Sequence, residues 1–291
     1  MKKGIVYIVG AGPGDFDLIT LKAIKCISSS DVIIYDHLVN KKLLFFAKTD
    51  AELIYAGKKA KHHTLSQDEI NKLMVKKAKE GKVVTRLKGG DPFIFGRGGE
   101  EAEFLKENGI NFQIVPGISS AIASAEYAGI PLTHRKYSST LAFVTGHEDP
   151  KKAESNICWK SLCNIGTLVI LMGLGNIEKI VETLINSGKD PKTKVAVIRW
   201  ATTPKQKVIE GTLEDIVDKV KKANFTPPVI IIIGEVVRLR EKIKWFENLP
   251  LFGRTIVITR QKEKILEFSQ KLMSLGAEVI EFPTIQIKEI K

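Results

Sequence analysis

Cysteine is scarce in this chain. Cys26, Cys158 and Cys163 are too few in 291 residues, and too unevenly spaced, for a disulfide framework or a zinc site. A reducing cytoplasm fits that usage. Long apolar runs are also missing: the longest, "PPVIIIIGEVV", is strand-sized, so no membrane span is expected. The opening "MKKGIVYIVGAGPGD" lacks the extended apolar region of a signal peptide and reads as a first core strand. Aromatic residues make up only 7% and no arginine-rich stripe occurs, which speaks against stacking platforms for nucleic acid. G-x-G-x-x-G and G-x-x-x-x-G-K-[ST] are both absent, so neither a dinucleotide fingerprint nor a P-loop is expected. The adjacent His62 and His63 have no carboxylate or cysteine cluster with them; a solvated loop and no metal are the expectation.

Positive charge is plentiful. Lys and Arg number 45 against 33 Asp and Glu, a formal +12. The basic residues are scattered, so the excess is either a lysine-rich solvated surface or an attraction for a polyanionic partner.

Short β-branched runs alternate with helical patterns almost throughout. "GIVYIVG", "DVIIYD", "KVVTRL" and "FQIVPG" read as strands; "DLITLKAIKCI" reads as a helix with Leu18, Leu21 and Ile24 inward. "SQDEINKLMVKKAKEG" opens with a capping box from Ser66 to Glu69 and stops at Gly81. This is βαβ alternation, the pattern of a mostly parallel sheet covered by helices. It resets near "VPGISSA". The expectation is two α/β lobes, residues 1–116 and 117–246, with a cleft between them and a linker at 247–253. Residues 254–291 read as a strand–helix–strand unit too small to bury its own sheet, with Ile265, Phe268, Leu272 and Leu275 on the inner face of its helix.

Two glycine-rich loops leave strands of the first lobe. "VGAGPGD" spaces its glycines G-x-G-x-G, and Pro13 removes an amide where a pyrophosphate grip would want one. "KGGDPFIFGRGGEE" puts five glycines, Asp91, Phe93 and Phe95 between a buried strand and a helix. In open α/β sheets ligands lie outside the carboxyl ends of the strands, so both loops are read as ligand loops.

The blocks "VGAGPGD", "DVIIYDHLV", "AGKK", "VTRLKGGDPFIFGRGGEE", "VPGISSAIASAEYAGIPLTHR", "TGH", "LVILMGL" and "GEVVRLR" resemble, in that order over residues 1–246, the signature of the tetrapyrrole methylase family, and of its uroporphyrinogen-III C-methyltransferase branch. The last forty residues are similar to the beginning of uroporphyrinogen-III synthase, without enough chain for synthase activity. The resemblance implies a class III S-adenosylmethionine methyltransferase of two α/β lobes. It implies methyl transfer to two pyrrole carbons, C2 and C7, of uroporphyrinogen III, giving precorrin-2 and S-adenosylhomocysteine. The chain would work without a metal, as a cytoplasmic homodimer, with no nucleic acid and no membrane partner. A substrate with eight carboxylates gives the +12 charge a small-molecule reading.

Carried over from the family, Asp36 is the candidate proton acceptor and Lys58 the candidate donor. On the residues alone, a carboxylate just past a strand end is either catalytic or a turn cap. Lys58, with Lys59 beside it, looks like any surface lysine. The implied cofactor contacts are Pro13, Gly89, Gly90, Asp91, Ile94, Ser119, Ser120, Met172 and Ala201. "GISSA" stands where many members have threonine then alanine, and "RWATT" where many have a glycine. Ser119 keeps the hydroxyl; Ser120 and Ala201 are left with backbone contacts. Arg86, Arg97, His134 and Arg135 are candidates for gripping acetate and propionate groups, each with a surface ion pair as its alternative reading. The rival functions are a methylase of a later corrin intermediate, an RNA-binding methylase, and a non-catalytic scaffold.

Overall fold

Apolar β-branched runs that alternate with amphipathic helices have one economical solution, a sheet buried on both faces. The computed structural model describes residues 4–57, 65–148, 156–261 and 265–284. The chain divides into two compact units, Met1–Ala123 and Ser124–Lys291.

In the first unit the elements are β1 (Ile5–Gly10), α1 (Leu21–Ser29), β2 (Val32–Tyr35), β3 (Glu52–Tyr55), α2 (Gln67–Lys79), β4 (Val83–Lys88), α3 (Gly98–Glu107) and β5 (Asn111–Val115); α4 (Ser120–Tyr127) spans the division. The five strands are all parallel, in the order β3-β2-β4-β1-β5. Alternate residues of each strand serve opposite faces. Ile8, Ile34 and Val84 pack with Ile70, Met74 and Leu105 of α2 and α3, whereas Val9, Ile33 and Leu87 pack with Ala23 and Ile27 of α1. The chain leaves β1 toward β2 on one side and returns from β4 to β5 on the other. The loops after β1 and β4 therefore part at the switch point where open sheets bind ligands.

The capping box on α2 is present: Glu69 N–H donates to Ser66 Oγ at 3.3 Å and Ser66 N–H to Glu69 Oε2 at 2.6 Å. The first helix differs from expectation. Residues Phe16–Leu18 form a separate 3-10 turn, and Thr20 Oγ1 then accepts from Ala23 N–H and starts α1 afresh. That start turns Ala23, Cys26 and Ile27 inward and leaves Leu21 78% exposed. A cap, not the hydrophobic count, sets the helix's frame.

The second unit contains β6 (Leu141–Thr145), α5 (Trp159–Leu162), β7 (Thr167–Leu171), α6 (Ile177–Asn186), β8 (Lys194–Arg199), β9 (Lys207–Thr212), α7 (Ile216–Lys222), β10 (Val229–Ile233) and α8 (Arg240–Ile243). Its sheet is mixed, in the order β6-β7-β10-β8-β9: only β6 and β7 are parallel, and β10 runs against both its neighbours. Ile180, Val181 and Leu184 of α6 and Ile216 and Val220 of α7 cover its buried face. The same unit ends in β11 (Thr255–Ile258), α9 (Ile265–Ser274) and β12 (Glu278–Glu281), two parallel strands around a core of Ile258, Ile265, Ala277 and Val279. Leu272 packs on that core, while Phe268 is exposed and Leu275 lies just past the helix. Among the described residues no helix is long and apolar enough to cross a membrane.

Candidate active site

Three loops meet main chain to main chain at the carboxyl ends of β1, β4 and β5. Gly90 N–H donates to Gly12 O at 2.7 Å and Gly12 N–H to Gly90 O at 3.2 Å, an antiparallel bridge between the two glycine loops. Gly90 sits at φ +71°, a conformation open to glycine at little cost. From the third loop, Gly117 comes so close that a Cβ there would lie 2.4 Å from Gly90 O and 2.7 Å from Gly10 Cα. No side chain fits between these strand ends.

Asp91 is the clamp. Its Oδ1 accepts from Phe93 N–H at 2.8 Å and its Oδ2 from Gly117 N–H at 3.0 Å. Oδ1 therefore closes a turn within its own loop and Oδ2 ties that loop to the one after β5, so Asp91 shapes the site through the backbone. Pro13 is buried in the first loop, whose Gly14 O accepts from Asn40 Nδ2 at 2.7 Å. Ser119 is buried, and its Oγ accepts from Ala121 N–H at 3.3 Å at the start of α4. A Cβ on Gly90 would lie 3.6 Å from Ser120 N, and one on Gly89 would lie 3.2 Å from Leu38 Cβ. Of the expected cofactor contacts, Pro13, Gly89, Gly90, Asp91, Ser119 and Ser120 thus gather in one place. Ile94 lies half-buried between the exposed Phe93 and Phe95, on a turn where Phe95 (φ 53°) and Arg97 (φ 59°) are left-handed.

Met172 and Ala201 belong to the second unit. Met172 follows β7, and Trp200, Ala201 and Thr202 follow β8; both strands run against β10, so both loops leave the same end of that sheet. Met172 (φ 55°), Trp200 (φ 49°) and Thr202 (φ 65°) are all left-handed there. Such non-glycine strain, of order 1–3 kcal/mol per residue, clusters at functional sites.

A four-charge network lies under the first unit's strand ends. Val84, Arg86 and Lys88 alternate along β4 and face α2 and α3. Arg86 is 2% exposed and Glu101 of α3 0% exposed. Glu101 Oε1 accepts from Arg86 Nε at 3.0 Å, Lys88 Nζ at 2.8 Å and Gln67 Nε2 at 3.0 Å. Arg86 Nη2 donates to Asp36 Oδ1 at 2.5 Å, and Lys88 Nζ lies 3.9 Å from Asp36 Oδ2. Asp36 sits just past β2, half-buried, with its N–H donating to Leu87 O at 3.2 Å. Burial, and then the guanidinium of Arg86, push Lys88 below the usual lysine range, against the pull of Glu101 and Asp36.

The structure thus moves Arg86 away from the role expected of it. Its guanidinium is consumed by Asp36 and Glu101 beneath the surface, so it holds Asp36 instead of gripping a substrate acid. Arg97 is exposed and paired with Glu100, Nη2 to Oε2 at 2.6 Å. His134 closes a turn in the second unit: its N–H donates to Ser138 O at 2.8 Å and its Nδ1 accepts from Lys136 N–H at 3.1 Å, with Arg135 exposed beside it. Lys58, His62 and His63 lie outside the described residues.

Lys88, Glu101 and Gln67 carry no motif that marks them as partners in the sequence. The signal available was two charges at i and i+2 on a strand otherwise buried on both faces, where each charge demands a partner.

Residues 5–217 match the family described as Tetrapyrrole (Corrin/Porphyrin) Methylases. A uroporphyrinogen-III C-methyltransferase of Bacillus subtilis (strain 168) is 54% identical over 246 residues, 84% of this chain and 95% of that protein. The porphyrin biosynthesis protein HemD of Ruminiclostridium josui is 42% identical over all 291 residues, and the chain spans 58% of its length. A crystal structure of the uroporphyrin-III C-methyl transferase of Thermus thermophilus, complexed with S-adenosyl homocysteine, superposes with a TM-score of 0.69 at 39% identity, covering 80% of this chain and 99% of that one.

Proposed function

The chain belongs to the tetrapyrrole (corrin/porphyrin) methylase family, and from that premise we propose that it methylates uroporphyrinogen III with S-adenosylmethionine as donor. The observation that carries this reading is the main-chain cradle of Gly10, Gly12, Gly90 and Gly117 with one carboxylate, Asp36, held a strand away. A donor with an amino-acid tail and a sugar presents hydroxyls, an ammonium and a carboxylate. Loops locked to one another through their own backbone, with no side chain in between, give such a donor a preformed floor to lie against.

Bound there, S-adenosylmethionine supplies a methyl group on a cationic sulfur. An electron-rich pyrrole carbon would displace that sulfur and become quaternary, and the macrocycle would then lose a proton from another position to extend its conjugation. Holding the reacting atoms in line supplies most of the acceleration. Asp36 takes the proton, and Arg86 fixes its carboxylate through Oδ1. Lys58 is the donor in this scheme. The donor contacts carried over from the family are Pro13, Gly89, Gly90, Asp91, Ile94, Ser119, Ser120, Met172 and Ala201. Arg97, His134 and Arg135 remain the candidates for substrate carboxylates.

Two transfers, to C2 and C7, give precorrin-2, which serves sirohaem or cobalamin synthesis. The same reading makes the working form a cytoplasmic homodimer. It takes residues 1–116 and 117–246 as the two catalytic lobes and 254–291 as the start of a synthase-like domain.

The test is direct. The chain is incubated with S-adenosylmethionine and enzymatically prepared uroporphyrinogen III, and the product is weighed by mass spectrometry. Gain of two methyl groups is the expected result; methylation only of RNA or of a later corrin would replace the proposal.

A further inference from the structure

The mechanism above uses Asp36 and Arg86 but leaves Lys88, Glu101 and Gln67 unexplained. A buried carboxylate that takes three donors on a single oxygen is more than packing requires. Among the described residues, Glu101 Oε2 has no hydrogen-bond partner at all. The side chains come from four separate stretches, the end of β2, α2, β4 and α3, and converge at one depth.

We propose that Glu101 is a positioning residue for methyl transfer: it is the second anion that carries the charge of Arg86 and Lys88 when Asp36 loses its own by accepting the ring proton. This rests on Asp36 being the proton acceptor. Charges balance as follows. At rest two cations, Arg86 and Lys88, face two anions, Asp36 and Glu101. During turnover the sulfur–methyl bond breaks and a carbon–methyl bond forms; then a C–H bond of the ring breaks and its proton moves to an Asp36 oxygen. The network is left with two cations and one anion. Without Glu101 it would hold two buried cations and none, so Asp36 would resist the proton.

The groups facing Lys88 are Arg86 on its own strand, Asp36 beyond β2, and Glu100 and Glu101 on α3. Of these anions, Glu101 and then Asp36 hold its charge against burial and Arg86. Removing Glu101 therefore lowers the pH at which Lys88 gives up its proton.

The experiment uses the full chain and three variants, Glu101→Gln, Lys88→Met and the double variant. Side-chain NMR of labelled lysine, assigned with Lys88→Met, follows the titration of Lys88 and needs no substrate. Its midpoint should fall by about one to two units in Glu101→Gln. Turnover of Glu101→Gln should drop about tenfold or more near neutral pH and recover as pH rises through that lowered midpoint. The double variant has one cation and one anion, so its charge balance is restored: turnover should return most of the way and lose the pH dependence. Simple structural damage would make the double variant as poor as the worse single one.

An unchanged Lys88 midpoint, or a double variant no better than Glu101→Gln, overturns the proposal. If the unaltered chain fails to methylate uroporphyrinogen III while the midpoint still falls, the functional reading fails and the charge coupling stands.

Discussion

Arg86 joins two carboxylates that are far apart in the chain: its Nη2 donates to Asp36 Oδ1 at 2.5 Å while its Nε donates to Glu101 Oε1 at 3.0 Å. The guanidinium gives each carboxylate its own nitrogen, a fork where a lysine at the same position would offer one point charge. Replacing Arg86 with Met leaves Glu101 buried with less than its full complement of positive charge. Breaking a buried pair in this way costs roughly 3–5 kcal/mol. Urea unfolding of Arg86→Met should show a loss of that size, and a loss below about 1 kcal/mol would mean the network is not held together by charge.

Asp36 is at the other end of that guanidinium and only half-buried. Asp36→Asn keeps the shape and one hydrogen-bond acceptor but cannot take a proton. Affinity for S-adenosylhomocysteine, measured by calorimetry, should stay close to that of the unaltered chain. Turnover should fall by about 10²- to 10⁴-fold, the usual contribution of a positioned base. Equal loss in binding and turnover would instead make Asp36 a loop-shaping residue.

Local chemistry made much of this architecture readable in advance. The βαβ alternation, the Ser66–Glu69 capping box and the two glycine loops all depend on residues close together in sequence, and all three are present. The frame of α1 departs from the hydrophobic pattern because Thr20 starts the helix two residues after a 3-10 turn, a choice between competing local hydrogen bonds. Phe268 departs from its pattern for another reason: the α9 unit has few elements to cover it, so periodicity overstates what is buried. The partners of Arg86 were out of reach. Asp36 is fifty residues away and Glu101 fifteen, and the pairing exists only once β2, β4 and α3 are assembled. The strand pattern told that the charges of β4 needed partners, but not which.

The contact of Gly117 with Gly10 and Gly90 makes a sharp contrast with Gly99. A Cβ on Gly117 would strike only backbone, 2.4 Å from Gly90 O, whereas a Cβ on Gly99 meets nothing within 4 Å. Gly117→Ala must therefore push two loops apart, at roughly 1–3 kcal/mol of stability. Its affinity for S-adenosylhomocysteine should fall more than its stability explains. Gly99→Ala, in the first turn of α3, should be neutral or slightly stabilising. Equal behaviour of the two variants in thermal melts and binding would show that the close approach does not shape the site.

Acid should weaken the first sheet through Asp31. Its Oδ2 accepts from Val83 N–H at 2.8 Å and its Oδ1 from Lys48 at 2.9 Å, tying the start of β2 to β4. The backbone bond to Val83, and then Lys48, hold its carboxyl below the usual aspartate range. A lowered carboxyl favours the folded state above its unfolded pKa, about 3.9, and the benefit is lost as pH falls through the lower folded value. Asp31 is partly exposed, so solvent screening keeps the effect to roughly 1 kcal/mol or less. The unaltered chain should exceed Asp31→Asn in stability at neutral pH, and the gap should close in strong acid. A gap independent of pH would assign the effect to packing.

The unit made of β11, α9 and β12 should be dispensable for methyl transfer. Its two parallel strands leave Val257 and Ile280 exposed, and Phe282 beyond them is 62% exposed, too much apolar surface for so small a sheet. Its ties to the residues before it include two backbone contacts and an exposed ion pair. Leu251 N–H donates to Leu275 O at 2.9 Å, Gly276 packs near Leu249 and Phe252, and Lys205 pairs with Glu278 at an exposed position. An exposed pair contributes about 0–1 kcal/mol. Deleting residues 254–291 should therefore leave turnover and S-adenosylhomocysteine affinity unchanged while reducing association beyond the dimer, measured by light scattering. A collapse of turnover on deletion would mean that this unit supports the methylase and is not merely attached to it.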